Sequence, residues 1–170
     1  VSSGKIREIK GWLIRPNGTV KYYDKTDIAD LISDPDDVYN EGRIKVINAS
    51  DDIEVGGIFG YTVISEDTPL FYQDIWSFQS RLPTLVSRYT LNLPTGWKAS
   101  SITFNTAELK PQVNGTSYTW EMRNLLPIPP EPLSPSVVNI APRISVNYAP
   151  ESKAQTVNRA FANWTDVSRW

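Results

Sequence analysis

The feature of this sequence that most limits its fold is a series of short stretches in which apolar and polar residues alternate. Two such stretches flank Asn17-Gly18 and another two flank Asn114-Gly115. Asn-Gly is the strongest short signal for a β-hairpin, because both residues accept a positive φ. An alternation of period two places every second side chain on one face of a strand. The sequence therefore predicts antiparallel strands that each bury one face.

The alternation is clearest in residues 117–123, 143–148 and 87–93. The side chains predicted to point inward are Tyr118, Trp120 and Met122 in the first stretch, Ile144, Val146 and Tyr148 in the second, and Tyr89, Leu91 and Leu93 in the third. The further predicted strands cover residues 11–14, 19–23, 43–47, 57–64, 71–78, 97–104 and 109–113. Pro, Gly and Asn separate these stretches, and no long helical pattern alternates with them. We expect an all-β fold, an antiparallel two-sheet β-sandwich with a short C-terminal helix.

A chain of 170 residues has the usual size of one domain, so we expect residues 1–170 to form a single β-sandwich domain. Two segments interrupt the predicted strands. Residues 25–42 are acidic and are interpreted as a solvated loop. Residues 126–150 contain seven of the thirteen prolines; proline lacks a backbone donor, so this segment is expected to run extended along a sheet edge and to block stray strand pairing.

The last residues carry a spaced apolar pattern. Phe161, Trp164, Val167 and Trp170 lie three apart, close to the spacing of one helix face. Because no Gly, Asn or Pro follows as a stop signal, residues 163–170 are interpreted as the start of a helix that leads to a following domain. The chain is then a fragment of a longer one, and Trp164, Val167 and Trp170 are expected at an interdomain interface.

The composition restricts the chemistry. The chain has no Cys and no His, which excludes thiol nucleophiles, His-dependent triads, haem ligation and almost every zinc site. The acidic residues of 25–42 do not have the spacing of a calcium loop, and no Gly-x-Ser-x-Gly nucleophile turn is present. A net charge of −2 provides no basic field for nucleic acid, and the apolar runs are far too short to span a membrane. We expect no catalytic residue, metal or cofactor.

Six tryptophans raise the alternative of a glycan- or peptide-binding module, since flat rings can stack on sugars. Most of them are interpreted as core residues, and Trp12 is expected to face Tyr23 as a cross-strand pair. A free-standing enzyme would need two facing carboxylates. Its candidates are Glu54, Glu66, Asp74, Glu121 and Glu131.

Three stretches together resemble a known family. They are Asp52-Ile53-Glu54-Val55-Gly56-Gly57-Ile58-Phe59-Gly60-Tyr61, then Tyr118-Thr119-Trp120-Glu121-Met122 followed by Pro130-Glu131-Pro132 and Pro142-Arg143-Ile144, and finally the terminal Trp164, Val167 and Trp170. The sequence resembles the uncharacterised β-rich domain found immediately N-terminal to transglutaminase-like domains in bacterial secreted or envelope proteins. Gly57 stands where the family often has an acidic residue. The motif positions, interpreted as structural, are Glu54, Gly56, Tyr61, Trp120, Glu131, Pro132, Pro142 and Arg143.

The resemblance implies a non-catalytic accessory domain that packs on or positions a downstream transglutaminase-like (cysteine protease-like) domain of the same chain. The Cys-His-Asp machinery would belong to that partner. The resemblance also implies export, with a periplasmic or secreted location. The alternative of a glycan- or peptide-binding β-sandwich module stays open.

Overall fold

The structure is a computed structural model that describes residues 4–33, 42–69 and 71–151 and residue 165. These residues contain eleven β-strands and one short helix. The chain divides into two compact units, Val1–Thr68 and Pro69–Trp170. The single domain over residues 1–170 stays a prediction.

The first unit contains two antiparallel sheets. Its strands are β1 (Lys5–Ile14), β2 (Val20–Tyr23), β3 (Ile28–Ile32), β4 (Arg43–Ile47) and β5 (Ile58–Glu66). One sheet has the order β2-β1-β5 and the other pairs β3 with β4. The first predicted hairpin is confirmed: Gly18 has a φ of +83°, and the Asn17 side chain accepts a hydrogen bond from the Thr19 amide.

The second unit also contains two antiparallel sheets. Its elements are β6 (Gln73–Ser77), β7 (Thr84–Asn92), β8 (Trp97–Phe104), β9 (Gln112–Asn114), β10 (Ser117–Leu125), α1 (Val137–Ile140) and β11 (Arg143–Pro150). The strand orders are β7-β10-β9 and β6-β11-β8. The Asn114-Gly115 hairpin is confirmed, with Gly115 at a φ of +61° between β9 and β10.

The core of the second unit lies between its two sheets. Trp120 of β10 is buried against Ile144 and Val146 of β11 and against Phe78. The partly buried side chains around this cluster include Tyr89, Leu91, Tyr118 and Met122. The predicted inner faces of these strands are therefore confirmed, and so is the prediction of an all-β antiparallel sandwich.

Several local predictions need correction. Residues 25–42, predicted as a loop, contain β3. This strand pairs with β4, whose Arg43 and Lys45 form ion pairs with Asp30 and neutralise its charge. Trp12 faces Tyr22, not Tyr23. The reason is the length of the turn: Arg15 and Thr19 close a five-residue loop, which shifts the register by one position and moves each side chain to the other face.

The proline-rich segment 126–150 holds more regular structure than an extended ribbon would. It contains α1 and β11, and β11 is the middle strand of its sheet. The predicted helix over residues 163–170 lies outside the described residues apart from Thr165, which is helical. Trp164, Val167 and Trp170 lie outside them as well. Within the described ranges, no helix has the length and apolar content needed to cross a membrane.

Candidate functional site

The outer face of the three-stranded sheet in the first unit is apolar. The opposite face of β1 carries Leu13, which is fully buried, and Gly11, where an added Cβ would lie 2.9 Å from Ile47 Cδ1. That inner face therefore packs against β4. The outer face carries five neighbouring apolar side chains, which we call the Trp12 face: Trp12, Ile14, Val20, Tyr22 and Ile58.

Much of the Trp12 face is exposed. Tyr22 has 74% of its surface accessible, and Ile58 has 62%. Trp12 and Ile14 are half-buried. A contiguous exposed apolar patch of this kind is a candidate contact surface.

Gly60 fixes the position of Trp12. The two residues are partners in the β1–β5 register. A Cβ at residue 60 would lie 2.4 Å from Cε2, 2.5 Å from Cζ2 and 2.6 Å from Nε1 of the indole. The indole therefore lies across the backbone of Gly60 and leaves a flat aromatic surface beside the Tyr22 position.

Polar groups border this face on one side. Lys10 and Glu8 precede Trp12 on β1 and lie on the same face. They form an ion pair with an Nζ–Oε1 distance of 2.5 Å. Thr62 lies opposite Lys10 on β5. An apolar centre with a polar border is the usual composition of a protein–protein contact surface.

Asp52 links the loop before β5 to the first hairpin through side-chain hydrogen bonds. Its carboxylate accepts hydrogen bonds from Lys21 Nζ at 2.6 Å, the Tyr23 hydroxyl at 3.0 Å and Arg15 Nη2 at 3.3 Å. The Lys21 hydrogen bond is the main cause that lowers the pKa of Asp52. Burial, followed by the hydrogen bond to Asp52, raises the pKa of Tyr23. This cluster positions the hairpin, and it explains the acidic start of the Asp52–Tyr61 motif.

A groove of about 540 Å³ lies in the second unit. It is lined by residues 80–82, 128–131 and 134–137 and by Ile140. The walls come from the loop before β7 and from the proline-rich segment, joined where the Ile128 amide donates to the Ser80 carbonyl at 3.0 Å. Glu131, predicted as a structural motif position, lies in this groove.

The motif positions of the first unit have local roles in the backbone. The Glu54 carbonyl accepts a hydrogen bond from the Gly57 amide at 2.9 Å, and Gly56 has a φ of +87°, which favours glycine. Tyr61 lies on β5 with 66% of its surface exposed and contacts the ring of Phe59.

The motif positions of the second unit are spread over its sheets and loops. Trp120 is buried, and its Nε1 donates to Ser101 Oγ at 3.2 Å. The Pro142 carbonyl accepts from the Phe78 amide, and Arg143 donates to the Val138 carbonyl while its guanidinium stacks on Phe104. Pro132 lies in an exposed turn next to Glu131. Phe78 thus contacts both Trp120 and Pro142, whereas Glu131 and Pro132 lie in the proline-rich segment.

Three of the five carboxylates considered as catalytic candidates are paired with basic or hydroxyl side chains and not with a second carboxylate. Glu66 pairs with Arg7, and Asp74 accepts a hydrogen bond from Tyr89. Glu121 binds Arg88 and Arg123, which lower its pKa.

Sequence reasoning singled out neither the Trp12–Gly60 contact nor the Lys21–Asp52 cluster. A signal for the first was available, because a glycine in a strand interior often marks a close approach by another group. The Lys21–Asp52 cluster depends on contacts between residues about thirty positions apart, and no local sequence pattern predicts such contacts.

Comparison with solved structures gives one fold likeness. The crystal structure of a "putative protease" from Parabacteroides distasonis ATCC 8503 superposes with a TM-score of 0.62 at 14% sequence identity. The likeness covers 85% of this chain and 30% of that one, so this chain spans less than a third of the protein it matches. At this identity the match establishes the fold alone. Among curated proteins, none matches this chain.

Comparison with protein families gives a match over most of the sequence. Residues 2–129, about three quarters of the chain, match the family described as "Domain of Unknown Function with solved-structure structure". The matched range includes the Trp12 face and the Asp52 cluster and ends inside the groove of the second unit. The chain therefore belongs to this domain family, DUF3857.

Proposed function

We propose that the chain is a non-catalytic accessory module of a longer bacterial protein, and that it packs on and positions a transglutaminase-like, cysteine protease-like catalytic domain. One observation carries the proposal: the fold of this chain recurs in less than a third of the length of the P. distasonis protein. In that protein the fold is one part of a larger chain. The same arrangement here would join this module to a catalytic part.

The composition supports a division of labour between the two parts. Cysteine-type acyl transfer needs a thiolate nucleophile and commonly a histidine base, and this chain contains neither residue. The reacting groups would then come from the partner domain. The family resemblance further suggests that the whole protein is exported to the periplasm or the outside of the cell.

The Trp12 face is the surface that we assign to the domain contact. Tryptophan and tyrosine are enriched among residues that dominate binding energy, and they act best when a partner buries them fully. Most of the surface of Tyr22 and of Ile58 is exposed, so a partner domain would bury it on contact. Trp164, Val167 and Trp170 are proposed as a second contact, at the point where the chains of the two domains join.

The first test is the coding sequence that follows Trp170 in the gene. A transglutaminase-like domain there supports the proposal, and a stop codon or a domain without hydrolase chemistry overturns it.

The second test uses the full-length protein with Trp12→Ser and Tyr22→Ser combined. We expect a tenfold or greater loss of catalytic activity, or faster proteolysis between the domains, because the contact loses its aromatic anchors. Leu85→Ser is the matched control, since Leu85 is an equally exposed apolar residue on β7 of the other unit. Activity and proteolysis rates that stay at the control level would refute the role of this face.

A second candidate function is glycan binding by the same face. The observation that favours it is the placement of two aromatic side chains, Trp12 and Tyr22, as direct cross-strand partners on one face. Flat aromatic surfaces beside hydrogen-bonding groups suit the apolar faces of sugar rings. Retention of the isolated chain on insoluble polysaccharide or cell-wall material, abolished by Tyr22→Ala, would support this function over the domain contact. No retention would remove it.

A further inference from the structure

We propose that the groove of the second unit binds a short apolar peptide whose two ends are both free. We call it the Arg81–Glu131 groove, after the two charged residues that line it. The volume of about 540 Å³ lies within the range of small-ligand sites, which is roughly 300 to 1,000 Å³. A di- or tripeptide fits that volume.

The groove carries two opposite charges on exposed side chains that pair with no other described protein group. Arg81 and Glu131 both line the cavity, yet they form no ion pair with each other. Among the residues that the structure describes, neither side chain has a hydrogen bond or an ion pair with any other group. Most other acidic side chains that the structure describes have a basic or hydroxyl partner, as Glu121 and Asp74 do. A ligand with one positive and one negative end would satisfy both charges of the groove.

The remaining lining is apolar except for Ser80, Ser134 and Ser136. Leu82, Ile128, Val137 and Ile140 line the same groove as the two charged residues, and Leu82 has 71% of its surface exposed. Apolar side chains of a peptide would bury this surface. The groove therefore combines the three contacts that a short free peptide needs: one for its carboxylate, one for its ammonium group and one for its side chains.

The walls of the groove are preorganised. Pro129, Pro130 and Pro135 have a fixed φ and lose little conformational freedom on binding. The Ile128 amide is tied to the Ser80 carbonyl, and the Ser134 amide is tied to the Glu131 carbonyl at 3.2 Å. Arg81 suits the carboxylate end, because its guanidinium can donate two parallel hydrogen bonds to a carboxylate. Glu131 suits the ammonium end.

The experiment is a titration of the chain with Leu-Leu, N-acetyl-Leu-Leu and Leu-Leu-amide, followed by calorimetry. We expect Leu-Leu to bind, and we expect each capped peptide to bind about tenfold more weakly, since each cap removes one charge-assisted hydrogen bond. Arg81→Gln should weaken Leu-Leu by a similar factor and leave Leu-Leu-amide unchanged. Glu131→Gln should weaken Leu-Leu and leave N-acetyl-Leu-Leu unchanged.

Arg88→Gln and Glu108→Gln are the control variants, because both residues lie outside the groove in the same unit. They should bind Leu-Leu as the unmodified chain does. Absence of a binding signal for Leu-Leu at 10 mM would overturn the proposal, and so would equal affinity for the free and capped peptides. These outcomes are independent of the accessory role and of the Trp12 face, which involve the other unit.

Discussion

Trp12 lies across Gly60, its partner on the neighbouring strand, so that the indole occupies the space where any other residue at position 60 would carry its Cβ. This contact has two consequences. It holds the aromatic ring flat on the outer face of the sheet, and it makes the size of residue 60 a determinant of that face.

Gly60→Ala should therefore displace the indole. A Cβ within 2.4 Å of Cε2 cannot be accommodated without movement of the ring or of β5. We expect a loss of about 1 to 3 kcal/mol in the free energy of unfolding, the usual cost of overpacking, together with a change in tryptophan fluorescence. Urea denaturation followed by fluorescence and by circular dichroism measures both.

The double variant Trp12→Ala with Gly60→Ala identifies the cause. Once the indole is absent, Gly60→Ala should gain about 0.5 kcal/mol, because alanine restricts the unfolded chain more than glycine does. A penalty of the same size with and without Trp12 would show that the backbone of β5, and not the indole, rejects the methyl group.

Asp52→Asn should lower the urea midpoint at pH 7 and do so less at low pH. The hydrogen bond from Lys21 holds the pKa of Asp52 below its ordinary value of about 3.9, which the unfolded chain has. A lowered folded-state pKa stabilises the fold above pH 4, and that contribution is lost as the pH falls through the folded-state pKa. The difference in midpoint between the two proteins should therefore be constant from pH 5 to 8 and shrink towards pH 2.

Asp51→Asn is the matched control for this measurement. Asp51 is the preceding carboxylate and is exposed, without the Lys21 contact. We expect its midpoint to follow that of the unmodified chain at every pH. A gap for Asp52→Asn that keeps its full size at pH 2 would mean that packing, and not charge, accounts for the effect.

The sequence predicted the inner faces of the second unit well, for a physical reason. On β10 and β11 one face is buried against another sheet and the other face is solvated. Apolar residues such as Trp120, Ile144 and Val146 therefore alternate with polar ones along each strand. The Asn-Gly turns were equally clear, because few other residue pairs adopt their backbone angles.

The register of the first hairpin could not be predicted from the alternation. Tyr22 and Tyr23 are both aromatic, so either could have faced Trp12, and the five-residue turn decided between them. β3 was missed because its Asp30 suggested a loop until its cationic partners on β4 were known. The groove depends on the contact between residues 80 and 128, which no local pattern encodes.

Ser101→Ala should destabilise the second unit through Trp120. The indole Nε1 of this buried residue donates to Ser101 Oγ, and the alanine variant leaves the donor unsatisfied inside the core. The expected loss is about 1 to 3 kcal/mol. Ser100→Ala on the exposed face of the same strand should change stability by less than about 0.5 kcal/mol. Equal losses in the two variants would contradict the role assigned to the hydrogen bond.

Tyr89→Phe should make the protein less sensitive to alkaline pH. The Tyr89 hydroxyl donates to Asp74 Oδ2 at 3.0 Å, and burial, followed by the Asp74 charge, raises the pKa of Tyr89. The contribution to stability is complete below the unfolded-state pKa of about 10 and is lost as the pH rises towards the folded-state value. At pH 7 the variant should lose about 1 kcal/mol with its hydrogen bond. Urea midpoints should show the same deficit at pH 7 and pH 9 and a smaller one at pH 10.5. Tyr22→Phe, at an exposed ring, serves as control. A deficit of constant size would disprove the coupling between Tyr89 and Asp74.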